Sequence, residues 1–146
     1  MINGRYGNTS GRPYMEGRLI IPSQKLSTNI SFLMDTGADV TNLMPMDAGK
    51  MGLDYTKLTD TDESVGVGGL SVDYTEPAVL VFLDAGKRNK LRVYFITIHI
   101  SSPSPDIMDL PSLLGRDVID NWRIDYNPMK PALKAIVRKA DVTLPA

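Results

Sequence analysis

Asp35-Thr36-Gly37-Ala38-Asp39 follows directly on the apolar run Ile30-Ser31-Phe32-Leu33-Met34. A strand thus delivers an acid into a tight turn, where a small Gly and Ala leave its carboxyl accessible. An accessible carboxyl at a fixed position suits general acid–base chemistry. The motif occurs once in 146 residues. If the chemistry needs a pair of such carboxylates, the second must come from a second copy of the chain. Oligomeric state is therefore part of the functional question.

Composition removes most competing chemistries. The chain has no cysteine, which excludes disulfides, zinc–thiolate sites and thiol nucleophiles. Its single histidine, His99, cannot build a multi-histidine metal site within one chain, and no Gly-x-Ser-x-Gly elbow accompanies it. His99 shares the more polar face of an alternating strand with Thr97 and Ser101 and reads as a half-exposed strand residue. Asp109, Asp117 and Asp120 have no regular metal spacing and read as loop and helix-cap acids. Neither a metal nor a cofactor is expected. The formal net charge is −1, so no global field favours nucleic acid or an anionic membrane. The apolar runs are too short to span a bilayer, and residues 1–7 lack a signal-peptide core. A cytoplasmic setting is expected, with no nucleic-acid or membrane partner.

The elements that must position Asp35 read as mainly β. Residues 1–13 are rich in Gly, Asn and Ser and read as a flexible arm. Tyr14–Ile21 and Asn29–Met34 read as strands separated by Pro22-Ser23-Gln24. Pro45 and Gly52 mark the start and stop of a helix of one or two turns. Glu63 to Tyr74 reads as a hairpin with the tip Gly66-Val67-Gly68-Gly69. Val79–Leu83 and Leu91–Ile100 are the strongest strand signals. Leu113-Leu114-Gly115 reads as a short buried strand, and Arg116–Asn121 as a helical turn or two. Trp122–Tyr126 and Ala132–Arg138 read as a closing hairpin around Asn127-Pro128, and residues 127–146 as a C-terminal β-hairpin extension. Trp122 and Tyr126 read as core or interface residues.

Asp-Thr-Gly alone is a weak signal, arising by chance in about two or three chains per hundred of this length. Its setting raises the weight. Phe32-Leu33-Met34-Asp35-Thr36-Gly37-Ala38-Asp39, then Val65-Gly66-Val67-Gly68-Gly69, then Leu113-Leu114-Gly115-Arg116-Asp117 occur in order. This set resembles the retropepsin-like aspartic proteases, the half-sized relatives of pepsin, over residues 14–126. The resemblance implies a mainly β fold, a closed barrel of the acid-protease type with one or two short helices and half a site per subunit.

It further implies a homodimeric endopeptidase that acts on peptide or protein substrates. Asp35 would be the catalytic acid, paired with Asp35 of a second subunit. Thr36 would bond across the two-fold axis, and the Gly37 carbonyl would accept a bond from substrate. Ala38, Asp39 and Val40 would line the substrate, with Arg116 placed to pair with Asp39. Leu113, Leu114 and Gly115 would pack behind the catalytic turn. Gly66, Val67, Gly68 and Gly69 would form a flap over bound peptide, Val67 being its apolar contact.

Other readings stand beside these. Asp35-Thr36-Gly37 could be a plain strand-to-turn junction. The glycine tip could be an ordinary loop, although no Lys-Ser/Thr follows to make it a phosphate cradle. Asp39 and Arg116 could be two surface charges. A catalytically silent peptide-binding module, or a dimeric scaffold of the same fold, is the alternative to an enzyme.

Overall fold

The computed structural model describes residues 1–66 and 69–146. Its strands are β1 (Ile2–Asn3), β2 (Arg5–Tyr6), β3 (Pro13–Ile21), β4 (Leu26–Met34), β5 (Asn42–Leu43), β6 (Thr61–Gly66), β7 (Gly69–Asp84), β8 (Lys90–Ser101), β9 (Leu113–Leu114), β10 (Trp122–Asn127), β11 (Ala132–Val137) and β12 (Val142–Pro145). Two helices interrupt them, α1 (Pro45–Met51) and α2 (Arg116–Ile119).

Strand alternation builds the core. On β3, Met15, Gly17, Leu19 and Ile21 point inward, while Glu16 and Arg18 face solvent. Pro22–Gln24 then forms a 3₁₀ turn, and Lys25, with φ of 54°, reverses the chain into β4. β4 returns antiparallel to β3, burying Ile30 and Phe32. The strand order β8-β5-β9-β4-β3-β7 closes on itself through β7–β8 pairing, giving a six-stranded barrel. Phe32, Leu43, Leu80, Phe82, Ile98, Ile100, Leu114 and Val118 fill it. Gly17 is needed there because Phe82 lies across it: a Cβ at Gly17 would stand 2.6 Å from the ring.

β7 runs as one strand through Pro77, where the sequence reads as a hairpin arm and a separate later strand. The amide of Thr75 points away from β8, to the Asp60 carbonyl at 2.9 Å. Residue 77 shares that direction by alternation. Pro77 lies between the end of β6 pairing at Tyr74 and the start of β3 pairing at Val79. Its missing N–H therefore breaks no ladder bond.

The terminal segments differ from their sequence reading. The residues read as a flexible arm contribute β1, which pairs with β11, and β2, which pairs with β3. Ile2 is buried, and this burial anchors a stretch whose polar composition resembles a loop. The expected closing hairpin does form, β10 pairing antiparallel with β11, but residues 127–146 make no separate hairpin of their own. β11 pairs with β10 and β1 in a three-stranded sheet, and β12 pairs with β8. An aromatic cluster joins that sheet to the barrel. Trp122 meets Phe82 edge-on at 4.9 Å, and its indole N–H donates to the Tyr94 hydroxyl at 2.8 Å. No helix among the described residues is long and apolar enough to cross a membrane.

Candidate active site

β4 carries the candidate acid to the end of the barrel. Leu33 and Met34 pair in parallel with Leu113 and Leu114 of β9, and the Asp35 amide donates to the Leu114 carbonyl at 3.0 Å. The chain turns at once: Ala38 N–H donates to the Asp35 carbonyl at 3.1 Å, and Gly37 N–H donates to Asp35 Oδ1 at 2.9 Å. Such an Asx turn orients the carboxylate without enclosing it. Oδ2 accepts no hydrogen bond among the described residues. A Cβ at Gly37 would stand 3.2 Å from Asp35 Oδ1, so glycine there keeps the approach to the carboxylate clear. Asp35 is half-buried, whereas Thr36 and Gly37 are exposed.

The β9–α2 corner holds the far side of this turn. Arg116 N–H donates to the Ala38 carbonyl at 2.8 Å and Asp117 N–H to the Asp39 carbonyl at 3.2 Å. The Arg116 guanidinium also pairs with Asp39 Oδ1. Both side chains are largely exposed, so the pair contributes little to stability in the isolated chain. Leu114 and Gly115 are buried and Leu113 is half-buried, beneath the turn. At Gly115 a Cβ would lie 2.4 Å from the Val40 carbonyl carbon and 2.5 Å from its oxygen. Its φ of −94° suits any residue. Glycine is required there by space, because two backbone segments touch.

Asp117 and Thr41 hold this corner in a way that the sequence reading does not assign to them. Asp117, which reads as a helix-cap acid, reaches across to Thr41. Its carboxylate accepts the Thr41 amide at 3.0 Å and the Thr41 hydroxyl at 2.8 Å. Thr41 Oγ1 in turn accepts the Gly115 amide at 3.2 Å. Behind them, buried Ser112 donates to Asp47 Oδ2 at 2.6 Å and accepts the Met44 amide at 2.9 Å. Position in the first turn of a helix is the only local sign that Asp117 carries. Its bond to a residue 76 positions away exists only in three dimensions.

The structure thus gathers Asp35, Thr36, Gly37, Ala38, Asp39, Val40, Leu113, Leu114, Gly115 and Arg116 at one corner. Gly66 and Gly69 stand opposite each other at the end of the β6–β7 ladder. Val67 and Gly68 lie outside the described residues. Among the described residues, no hydrogen bond joins this hairpin to the Asp35 turn. Beside Thr36 opens an apolar cleft of about 370 Å³ lined by Pro13, Met34, Ile124 and Tyr126. Among the described residues, no group of three His, Asp or Glu side chains is arranged to hold a metal ion.

No family model matches the chain, and no curated protein matches it. Among solved structures it is similar to a retropepsin-like aspartic protease from Rickettsia conorii, at 24% identity. The match covers 90% of this chain and 87% of that one, with a TM-score of 0.54. A likeness at this level fixes the fold as a retropepsin-like barrel.

Proposed function

We propose that the protein is an aspartic endopeptidase whose site is completed by a second copy of the chain. The observation that carries this reading is the Asp35 turn. Its backbone amide donates to the Leu114 carbonyl, the Gly37 amide donates to its Oδ1, Oδ2 accepts no bond among the described residues, and its neighbours Thr36 and Gly37 are exposed. One such carboxyl lacks the partner that water activation needs. Two brought close together cannot both ionise cheaply and so share a proton, as in aspartic proteases generally. The ionised member takes a proton from water while the protonated member hydrogen-bonds the scissile carbonyl. Water adds to the carbonyl carbon to give a tetrahedral intermediate with no covalent bond to the enzyme, and its C–N bond then breaks as the leaving amine takes a proton from the carboxyl pair. Asp39 and the Gly37 carbonyl bind the extended peptide main chain, and the β6–β7 hairpin covers it.

The cleft beside Thr36 supports the dimeric reading. Tyr126 is 56% exposed next to Met34 and Ile124, and an apolar surface adjoining half a site fits coverage by a second copy. The test is a peptide-library digest from acidic to neutral pH, with Asp35→Asn as control. Wild type should cleave, and the variant should lose activity by at least about a hundredfold while keeping its fold. Specific activity should fall on dilution as the dimer dissociates. Equal activity in the two proteins would sink the mechanism. Peptide binding without cleavage by wild type would identify a silent binding module.

A further inference from the structure

His99 has surroundings that its place in an alternating strand does not reveal. Its Nε2 lies 3.7 Å from Asp62 Oδ2 on β6, and its Nδ1 lies 3.8 Å from Asp73 Oδ2 on β7. Asp62 and Asp73 are direct cross-strand partners at the foot of the β6–β7 hairpin. Like charges in that relation destabilise a strand pair. β6 is also the last strand in its sheet order, so beyond β7 it has no neighbour to hold it.

Asn42 of β5 and Thr75 of β7 stand beside His99 in register, and Thr97 and Ser101 flank it on β8. Asp60 adds one further carboxyl, on the segment leading into β6, where its carbonyl accepts the Thr75 amide. The His99 and Asp73 side chains are each only 18% exposed, which limits screening of their interaction by solvent.

We propose that His99 is a proton-operated clamp on the foot of the β6–β7 hairpin. A neutral imidazole brings no charge to the two carboxylates; the protonated ring places one positive charge within ion-pair reach of both. Protonation therefore replaces repulsion between β6 and β7 with a bridge from β8 to both strands. Deprotonation leaves two opposed carboxylates facing each other across the β6–β7 ladder. As regulation of the site, the clamp rests on the reading of this hairpin as the cover over Asp35. It would hold the cover ordered in acid and loosen it toward neutrality.

Hydrogen–deuterium exchange of the β6 amides tests the clamp without any need for turnover. The chain carries Asp35→Asn throughout, so that the candidate catalytic carboxyls add no pH dependence. After correction for intrinsic exchange, protection over residues 61–66 should be about threefold or more higher at about pH 5 than at about pH 8. His99→Gln should flatten that dependence. Asp62→Asn combined with Asp73→Asn should flatten it too, with protection at about pH 8 raised toward the acidic value. Circular dichroism checks that each variant folds. If His99→Gln does not fold, the double asparagine variant decides alone. Flat protection in the parent, or an unchanged pH dependence in either variant, overturns the clamp. Persisting pH-dependent protection in a chain whose wild type cleaves no peptide would remove the protease reading and leave the clamp standing.

Discussion

Gly115 shows how one residue can govern a site it never enters. Its missing side chain lets the β9–α2 corner lie against the Val40–Thr41 backbone. That contact brings the Arg116 and Asp117 amides to the carbonyls of the Asp35 turn. An added methyl at 2.4 Å from a backbone carbon cannot be absorbed by a side-chain rotation. Gly115→Ala should therefore lower unfolding free energy by about 1–3 kcal/mol, the usual range for overpacking. The check is a shift in the urea midpoint at unchanged slope. Any peptidase activity should fall further than the loss of folded protein explains, because the carbonyls of residues 38 and 39 must move. Gly115 was legible from sequence as part of an apolar-apolar-Gly element, but the segment it touches was not. Asp117 was less legible still, since an acid in a helix first turn is common and nothing local distinguishes one that reaches Thr41.

The elements divide into those set by local pattern and those set by their neighbours. Alternation along β3, β4 and β8, and the Pro45 and Gly52 boundaries of α1, are local signals, and the structure follows them. β1 and β2 lack such a signal and are held by pairing with β11 and β3. β10 is joined to the barrel through a polar contact inside an aromatic cluster. The Tyr94 hydroxyl accepts from Trp122 Nε1 and donates to the Lys139 carbonyl, each at 2.8 Å. Burial pushes the Tyr94 phenol above its usual ionisation range, only partly offset by the bond from Trp122. Tyr94→Phe keeps the ring packing but leaves a buried indole N–H without its acceptor. It should cost about 1–3 kcal/mol, read as a drop in unfolding free energy. Trp122 fluorescence should report the same loss as circular dichroism if β10 and the barrel unfold together.

At the scale of the whole molecule, barrel closure and the tying of the chain ends are tertiary events. β7 meets β8 to close the barrel, and Asp84 at the end of β7 receives the Met1 amino group at 2.6 Å and Arg92 Nε at 2.8 Å. Burial pushes the Asp84 carboxyl up, but the hydrogen bonds from Met1 and Arg92 outweigh it and hold the carboxyl below the usual range. A carboxyl depressed in the folded state stabilises the fold above its unfolded value and loses that contribution as pH falls through the folded one. Asp84→Asn should thus be less stable than wild type at neutral pH, with the gap closing as pH falls below the ordinary carboxylate range. A constant gap across an acid titration of thermal midpoints would exclude this linkage. The mainly β class, the strand that ends in Asp35-Thr36-Gly37 and the ordered elements that resemble a retropepsin-like barrel are legible in the residues alone. These rest on alternation, turn chemistry and motif order, all properties of neighbouring residues. Folding in three dimensions adds that Gly115 lies on Val40, that Asp117 holds Thr41, that residues 2–6 join two sheets and that His99 faces two carboxylates. Each of those depends on segments far apart in the chain meeting at one point, and no local pattern records such a meeting.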